Sequence, residues 1–125
     1  MEKKLAVITG ADGGMGTEIT RAVASAGYRV IMACCNLVRV AEKRNLLMAE
    51  TGNADIEVQF IDLASLASVA SFARKMVERG EQITLLMNNA GTMETGLHIT
   101  EDGLERTVSV NYVGPYLLTR KLLPL

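Results

Sequence analysis

The stretch Thr9-Gly10-Ala11-Asp12-Gly13-Gly14-Met15-Gly16 follows an apolar run, Leu5-Ala6-Val7-Ile8, and leads into a segment whose Met15, Ile19, Ala22, Val23 and Ala26 share one helical face. A strand that passes through a glycine-rich turn into a helix makes a phosphate cradle. The first glycine allows the tight turn, the middle one lets a pyrophosphate touch bare backbone, and the last lets helix and strand pack closely. The N–H groups at the helix start and the positive end of its dipole then face the anion. Taken alone, the spacing of Gly10, Gly14 and Gly16 also fits a purely structural turn, because 11 glycines are spread along the chain.

Downstream, the strand-then-helix rhythm repeats. Tyr28 to Cys34 is apolar and partly β-branched, as a strand buried on both faces should be. Asn36 suits the cap of a helix running towards Glu50, with Gly52 as its stop. Ile56 to Ile61 reads as a third strand. Ser65 then caps a helix whose Leu66, Val69, Phe72, Ala73 and Met76 form an apolar stripe ending at Gly80. Ile83 to Met87 is a fourth strand, followed by a polar loop through Glu94 to Glu101. Leu104 to Leu123 is helical in composition, and Gly114-Pro115 should kink or split it. Four strands alternating with helices predict an α/β fold with a doubly wound parallel sheet.

Composition narrows the functional classes. With 125 residues, 49% hydrophobic and 22% charged, the chain has a one-domain length and globular character; it can bury about two thirds of its unfolded surface. A formal net charge of -1 argues against a nucleic-acid surface. The start, Met1-Glu2-Lys3-Lys4 before Leu5 to Ile8, imitates a leader, but Thr9, Gly10 and Asp12 interrupt it early. No run is long enough to span a bilayer, so no membrane partner is expected. Cys34 and Cys35 are adjacent and alone, which suits neither a disulfide framework nor a zinc site; no metal is expected, and the cytoplasm is the expected compartment. The 7 methionines read as soft core filler. His98, in the polar loop, reads as a solvated side chain.

Four features in order carry a resemblance. They are Thr9-Gly10 with Gly14-Met15-Gly16, Asp62-Leu63, Asn88-Asn89-Ala90-Gly91, and Asn111 in Val110-Asn111-Tyr112-Val113-Gly114. Across its whole length the chain resembles the classical short-chain dehydrogenases/reductases, and within them the retinol-dehydrogenase-like group. The resemblance implies a Rossmann-type sheet and an NAD(P)-dependent oxidoreductase that moves hydride between nicotinamide and a small carbonyl or alcohol substrate. It assigns the pyrophosphate and adenosine ribose to Gly10, Gly14 and Gly16 with the backbone around Asp12, Gly13 and Met15. Asp62 would take the adenine amino group, and Leu63 would donate its backbone N–H to the ring; the alternative for Asp62 is a helix-entry carboxylate. Asn89, Ala90 and Gly91 would line the riboses, while Asn88 and Asn89 brace the central strand. Asn111 corresponds to the catalytic asparagine, whose backbone carbonyl holds a water in the proton relay and whose side chain interrupts the helix.

The departures from the family are specific. Cofactor preference should be written at the end of the second strand, where a carboxylate suits NAD and a guanidinium suits NADP. Relatives reading Ala-Cys-Arg-Asn use the arginine; here Ala33-Cys34-Cys35-Asn36 puts a neutral thiol there, so the lean to NADP rests on resemblance alone. Arg39, Lys43 and Arg44 are candidate cations that solvated helix positions also explain. Asp12 can accept from a ribose hydroxyl and would repel a phosphate. Cys35 reads as a partly buried structural cysteine in preference to a reactive thiol.

The chain also lacks the serine and the tyrosine-lysine pair of the family. Tyr116 with Arg120 mimics the pair's spacing but stands in the wrong helix. The chain therefore resembles the first half of such an enzyme and is expected to be inactive alone, its fourth strand exposing an edge that invites pairing. Association with the missing half or a second copy is expected. The alternatives are a dinucleotide-binding module without catalysis and a degenerate fragment that needs a partner chain.

Overall fold

Four apolar runs form the sheet: β1 (Leu5–Thr9), β2 (Arg29–Cys34), β3 (Ile56–Phe60) and β4 (Ile83–Met87). The computed structural model describes residues 3–125, so the Met1-Glu2 opening of the leader-like stretch lies outside the described residues. The strands are all parallel in the order β3-β2-β1-β4. β1 pairs with β2 from Leu5 opposite Arg29 to Thr9 opposite Ala33. Its pairing with β4 has a register shift after Leu5. This is the Rossmann-type arrangement expected, and it sends the carboxyl ends of β1, β2 and β4 in one direction.

Two compact units share the chain. The first holds the sheet and comprises the residues up to Phe60 with Gln82–Asn89. Its helices are α1 (Gly14–Ser25) and α2 (Leu37–Thr51). Ile8, Val30, Met32, Cys34 and Ile56 from the strands form one core with Ala24, Val40 and Leu47 from the helices. Complete burial of a side chain such as Leu47 contributes about 2 kcal/mol. Leu5, Val7, Ile31 and Ala33 alternate with these residues along the strands and are buried too, so β1 and β2 are apolar on both faces. β3 and β4 are the edge strands of the described sheet, and β4 is only half-buried.

The second unit comprises Ile61–Glu81 and Ala90–Leu125. It contains α3 (Leu66–Arg79), a long loop, a short turn α4 (Arg106–Val108), a π-helical turn (Ser109–Val113) and α5 (Gly114–Leu122). α3 and α5 pack together. Val69, Phe72, Ala73 and Met76 are buried, as the apolar stripe requires, and Leu118 and Leu122 are buried on α5.

Local signals explain most helix boundaries. Asn36 caps α2 by accepting from the Arg39 N–H at 3.0 Å, and Gly52 ends it in the left-handed conformation at φ 70°. Ser65 caps α3 by accepting from the Ser68 N–H at 3.2 Å, and Gly80 ends it likewise at φ 66°.

Three expectations need correction. The fully buried residues of α1 are Gly16, Thr17, Thr20 and Ala24; of the expected apolar face Ile19 and Val23 pack against the core half-buried, whereas Met15, Ala22 and Ala26 are exposed. Thr17 and Thr20 satisfy their hydroxyls on the Gly13 and Gly16 carbonyls at 2.6 and 2.8 Å, which lets a nominally polar face go inside. Met32 and Met76 are core residues, but Met15 and Met93 face solvent. The last helical segment starts at Arg106 instead of Leu104, and it is divided where Gly114-Pro115 stands, as expected: the π turn ends at Val113 and α5 starts at Gly114, which keeps helical angles.

Candidate functional site

The glycine turn is built by two demands of the chain itself. Gly10 adopts φ 62°, a left-handed conformation that favours glycine. At Gly16 a Cβ would lie 2.1 Å from the Gly10 carbonyl oxygen and 2.8 Å from the Ala11 Cα, so only glycine fits. The Gly10 N–H donates to the Ala33 carbonyl at 2.9 Å, which ties the turn to the end of β2. Thr9 and Asn89 tie it to β4: the Asn89 N–H donates to Thr9 Oγ1 at 3.1 Å, and Asn89 Nδ2 donates to the Thr9 and Gly10 carbonyls at 3.2 and 3.1 Å.

Gly14 differs from these. A Cβ there meets no protein atom within 4 Å, so packing does not ask for glycine. Gly13, at the head of α1, has extended angles and no side chain caps the helix. The first turn of α1 also carries no acidic residue. A pyrophosphate fits these facts: it takes the N–H groups that a capping side chain would take, and it needs the surface over Gly14 bare.

At the end of β2 the two cysteines divide. Cys34 is buried, and burial together with the nearby Asp12 carboxylate pushes its thiol up to about 12. Its Sγ donates to the Asn36 carbonyl at 3.4 Å. Cys35 is exposed, which corrects the expectation of a partly buried cysteine: β2 has ended and the chain turns outward before the Asn36 cap. Asp12, with only 17% of its side chain exposed, faces the Arg39 guanidinium at 3.7 Å. The first unit thus brings the turn residues Gly10, Asp12, Gly13, Gly14, Met15 and Gly16 together with Asn89 and with the end of β2, where exposed Cys35 and Asn36 follow Cys34.

In the second unit, Asp62 Oδ1 accepts from the Ala64 N–H at 2.9 Å, shaping the turn before Ser65. This is close to its alternative helix-entry role, although the cap itself is Ser65. Asp62 also lines a cleft of about 480 Å³ with Ala64, Glu94, His98, Thr100 and Arg106. His98 is exposed there, and Glu94 pairs with Arg106 at 2.8 Å. The Leu63 carbonyl accepts from Ser109 Oγ at 3.0 Å, and a Cβ on Gly114 would come within 2.7 Å of it. Gly114 is therefore a close-approach glycine, which its Gly-Pro sequence does not reveal.

Asn111 sits in the middle of the π turn and has both side-chain atoms engaged. Its Nδ2 donates to the Thr92 carbonyl and its Oδ1 accepts from the Thr92 N–H, each at 2.7 Å. The amide thereby clamps the chain just after Ala90 and Gly91. Pro115, four residues on, has no N–H to give, so the Asn111 carbonyl lacks its ordinary α-helical donor. The side chain is thus occupied in holding the Thr92 backbone.

The comparisons agree with this geometry. Residues 4–125 match the family model described as short chain dehydrogenase. The chain belongs to the short-chain dehydrogenase family. It is similar to retinol dehydrogenase 13 of Mus musculus, 38% identical over 120 residues, covering 96% of this chain and 36% of that protein. Polyprenol dehydrogenase of Mus musculus is 41% identical, with 97% of this chain and 36% of that protein covered. Among solved structures, an alcohol dehydrogenase from the archaeon Thermococcus sibiricus complexed with 5-hydroxy-NADP superposes with a TM-score of 0.82 at 29% identity, covering 98% of this chain and 53% of that one. A metagenomic short-chain oxidoreductase in complex with NADP gives 0.83 at 27% identity, covering 97% and 55%. The chain spans little more than a third of the length of these curated relatives.

Thr92 gives no sequence signal, and the roles of Thr9 as an acceptor for Asn89 and of Arg39 as the partner of Asp12 are not visible in the motif or the cation pattern that names them. Thr9 and Thr92 act through partners that are distant in sequence, and Arg39 looks like any surface helix cation. Tyr116 and Arg120, which mimic a catalytic pair, form a cation-on-ring contact at 6.0 Å from the guanidinium carbon to the ring centroid. Glu105 caps α4, and the Thr107 N–H, with that of Val108 adding, holds its carboxyl below the ordinary value. Among the described residues, no group of three or more His, Cys, Asp or Glu comes together for a metal, and no helix is long and apolar enough to cross a membrane.

Proposed function

We propose that this chain is the cofactor-binding part of an NAD(P)-dependent oxidoreductase acting on a small carbonyl or alcohol compound. The observation that carries the proposal is the glycine turn: Gly10 and Gly16 are glycines because the fold demands it, while bare Gly14 and the uncapped start of α1 are explained by a bound pyrophosphate. When bound, a nicotinamide dinucleotide supplies or accepts the hydride.

The chain's own residues then have defined work. The N–H groups of Gly14, Met15 and Gly16 point the α1 dipole at the phosphates. Asp62 and the Leu63 N–H are assigned to the adenine, and Asn89, Ala90 and Gly91 to the riboses. Asn111, fixed by Thr92, presents its carbonyl to a water that relays the proton. Proton transfer at the substrate falls to a serine and a tyrosine-lysine pair, which these 125 residues do not supply. NADP is the cofactor we favour, because several structural relatives are NADP or NADPH complexes. A two-part experiment tests the reading. Nicotinamide fluorescence should report NADPH or NADH binding to the folded chain, without turnover. The longer reading frame, where it encodes the serine and tyrosine-lysine pair, should oxidise alcohols or reduce carbonyls with the same cofactor. A folded chain that binds neither cofactor contradicts the proposal; binding with no turnover by the longer protein leaves a binding module.

A further inference from the structure

The end of β2 itself carries no charge to read the adenosine ribose, but the fold pairs two of the charges named from the sequence, Asp12 and Arg39. Asp12 comes from the glycine turn and lies beside buried Cys34; Arg39 comes from the first turn of α2, three residues after the Asn36 cap. Their ion pair measures 3.7 Å, with Arg39 54% exposed and Asp12 only 17%, so the contact is long and Arg39 is its solvent-facing partner. Arg44, the other arginine in the first half of α2, is instead held by Asn45 at 3.2 and 3.3 Å.

In nucleotide-binding sheets of this kind, a carboxylate near the end of the second strand takes the ribose hydroxyls of NAD, and an arginine takes the 2'-phosphate of NADP. Here both groups stand at the place that Cys34 and Cys35 leave neutral, each occupied by the other. We infer that Asp12 and Arg39 form a balanced pair that sets the choice between NAD and NADP. A 2'-phosphate draws Arg39 away from Asp12, while a 2'-hydroxyl leaves the pair closed and donates to Asp12. The two side chains therefore oppose each other in specificity although they attract each other in the fold. This inference rests on the dinucleotide reading above.

The test compares NADH and NADPH dissociation constants, read by nicotinamide fluorescence, for the wild-type chain, Arg39→Gln, Asp12→Asn and the double variant, with a thermal melt of each. Arg39→Gln should shift the ratio about tenfold towards NADH, and Asp12→Asn about tenfold towards NADPH. The double variant should return close to the wild-type ratio. Shifts in the same direction, or shifts below about twofold while a cofactor still binds, overturn the inference. Should Asp12→Asn fail to fold, salt decides: the excess salt sensitivity of NADPH over NADH binding should vanish in Arg39→Gln, and its persistence counts against Arg39. If the folded wild-type chain binds neither cofactor, the dinucleotide reading itself falls, and this inference with it.

Discussion

The start of α1 and the starts of α2 and α3 solve one problem in opposite ways. Every helix begins with N–H groups that its own backbone cannot satisfy. α2 and α3 close theirs from within the chain, through Asn36, through Ser65, and through Asp102, whose Oδ2 accepts from the Leu66 N–H at 2.8 Å. α1 begins after Gly13 with no side-chain cap, following the interior strand β1. The same sequence that caps two helices with ordinary residues withholds a cap at the third. That difference is what supports the proposal of an external anion at the α1 start.

Four substitutions break or sharpen the comparison. Gly16→Ala has the largest expected effect: its Cβ would press on the Gly10 carbonyl, the Ala11 Cα and Asn89 Nδ2, so denaturant melts should show a loss of about 3 kcal/mol. Gly13→Asp gives α1 the internal cap that α2 and α3 have. Stability should rise by about 0.3 kcal/mol. Dinucleotide affinity should fall about thirtyfold, because a carboxylate then occupies the amides and repels the phosphates. Gly14→Ala meets no protein atom within 4 Å. It should keep or raise stability by about 0.5 kcal/mol, yet weaken binding about tenfold in a fluorescence titration. Ser65→Ala removes a cap of the self-sufficient kind and should cost about 1 kcal/mol in a melt, with dinucleotide affinity changed less than about twofold.

The contrast also shows which parts of the molecule are legible in sequence. Asn36 with Gly52, and Ser65 with Gly80, declare their helices because a cap and its helix are neighbours in the chain. The strands are legible because apolar runs between turn residues leave few other options. The face that α1 buries is only half legible from hydropathy, which finds Ile19 and Val23 but not Gly16, Thr17 and Thr20. Close packing at Gly16 selects small residues, and Thr17 and Thr20 hide their hydroxyls on backbone carbonyls of their own helix. Gly114 announces a break by its proline neighbour, but its actual constraint is the Leu63 carbonyl, some fifty residues earlier in the chain. The Asn111–Thr92 clamp and the Asp12–Arg39 pair are likewise long-range events that no local pattern encodes. The site is thus readable where it rests on backbone and glycine, and obscure where it depends on side chains meeting across the fold.

The central claim is that the first turn of α1 is kept open for a dinucleotide's pyrophosphate. Backbone amide shifts of the chain, followed by nuclear magnetic resonance during titration with NADPH, test it most directly. The account predicts that the largest shifts fall on Gly13, Gly14, Met15 and Gly16, with the capped amides of Arg39 and Ser68 moving less. Saturable shifts centred elsewhere, or none at all in a folded sample, would contradict it.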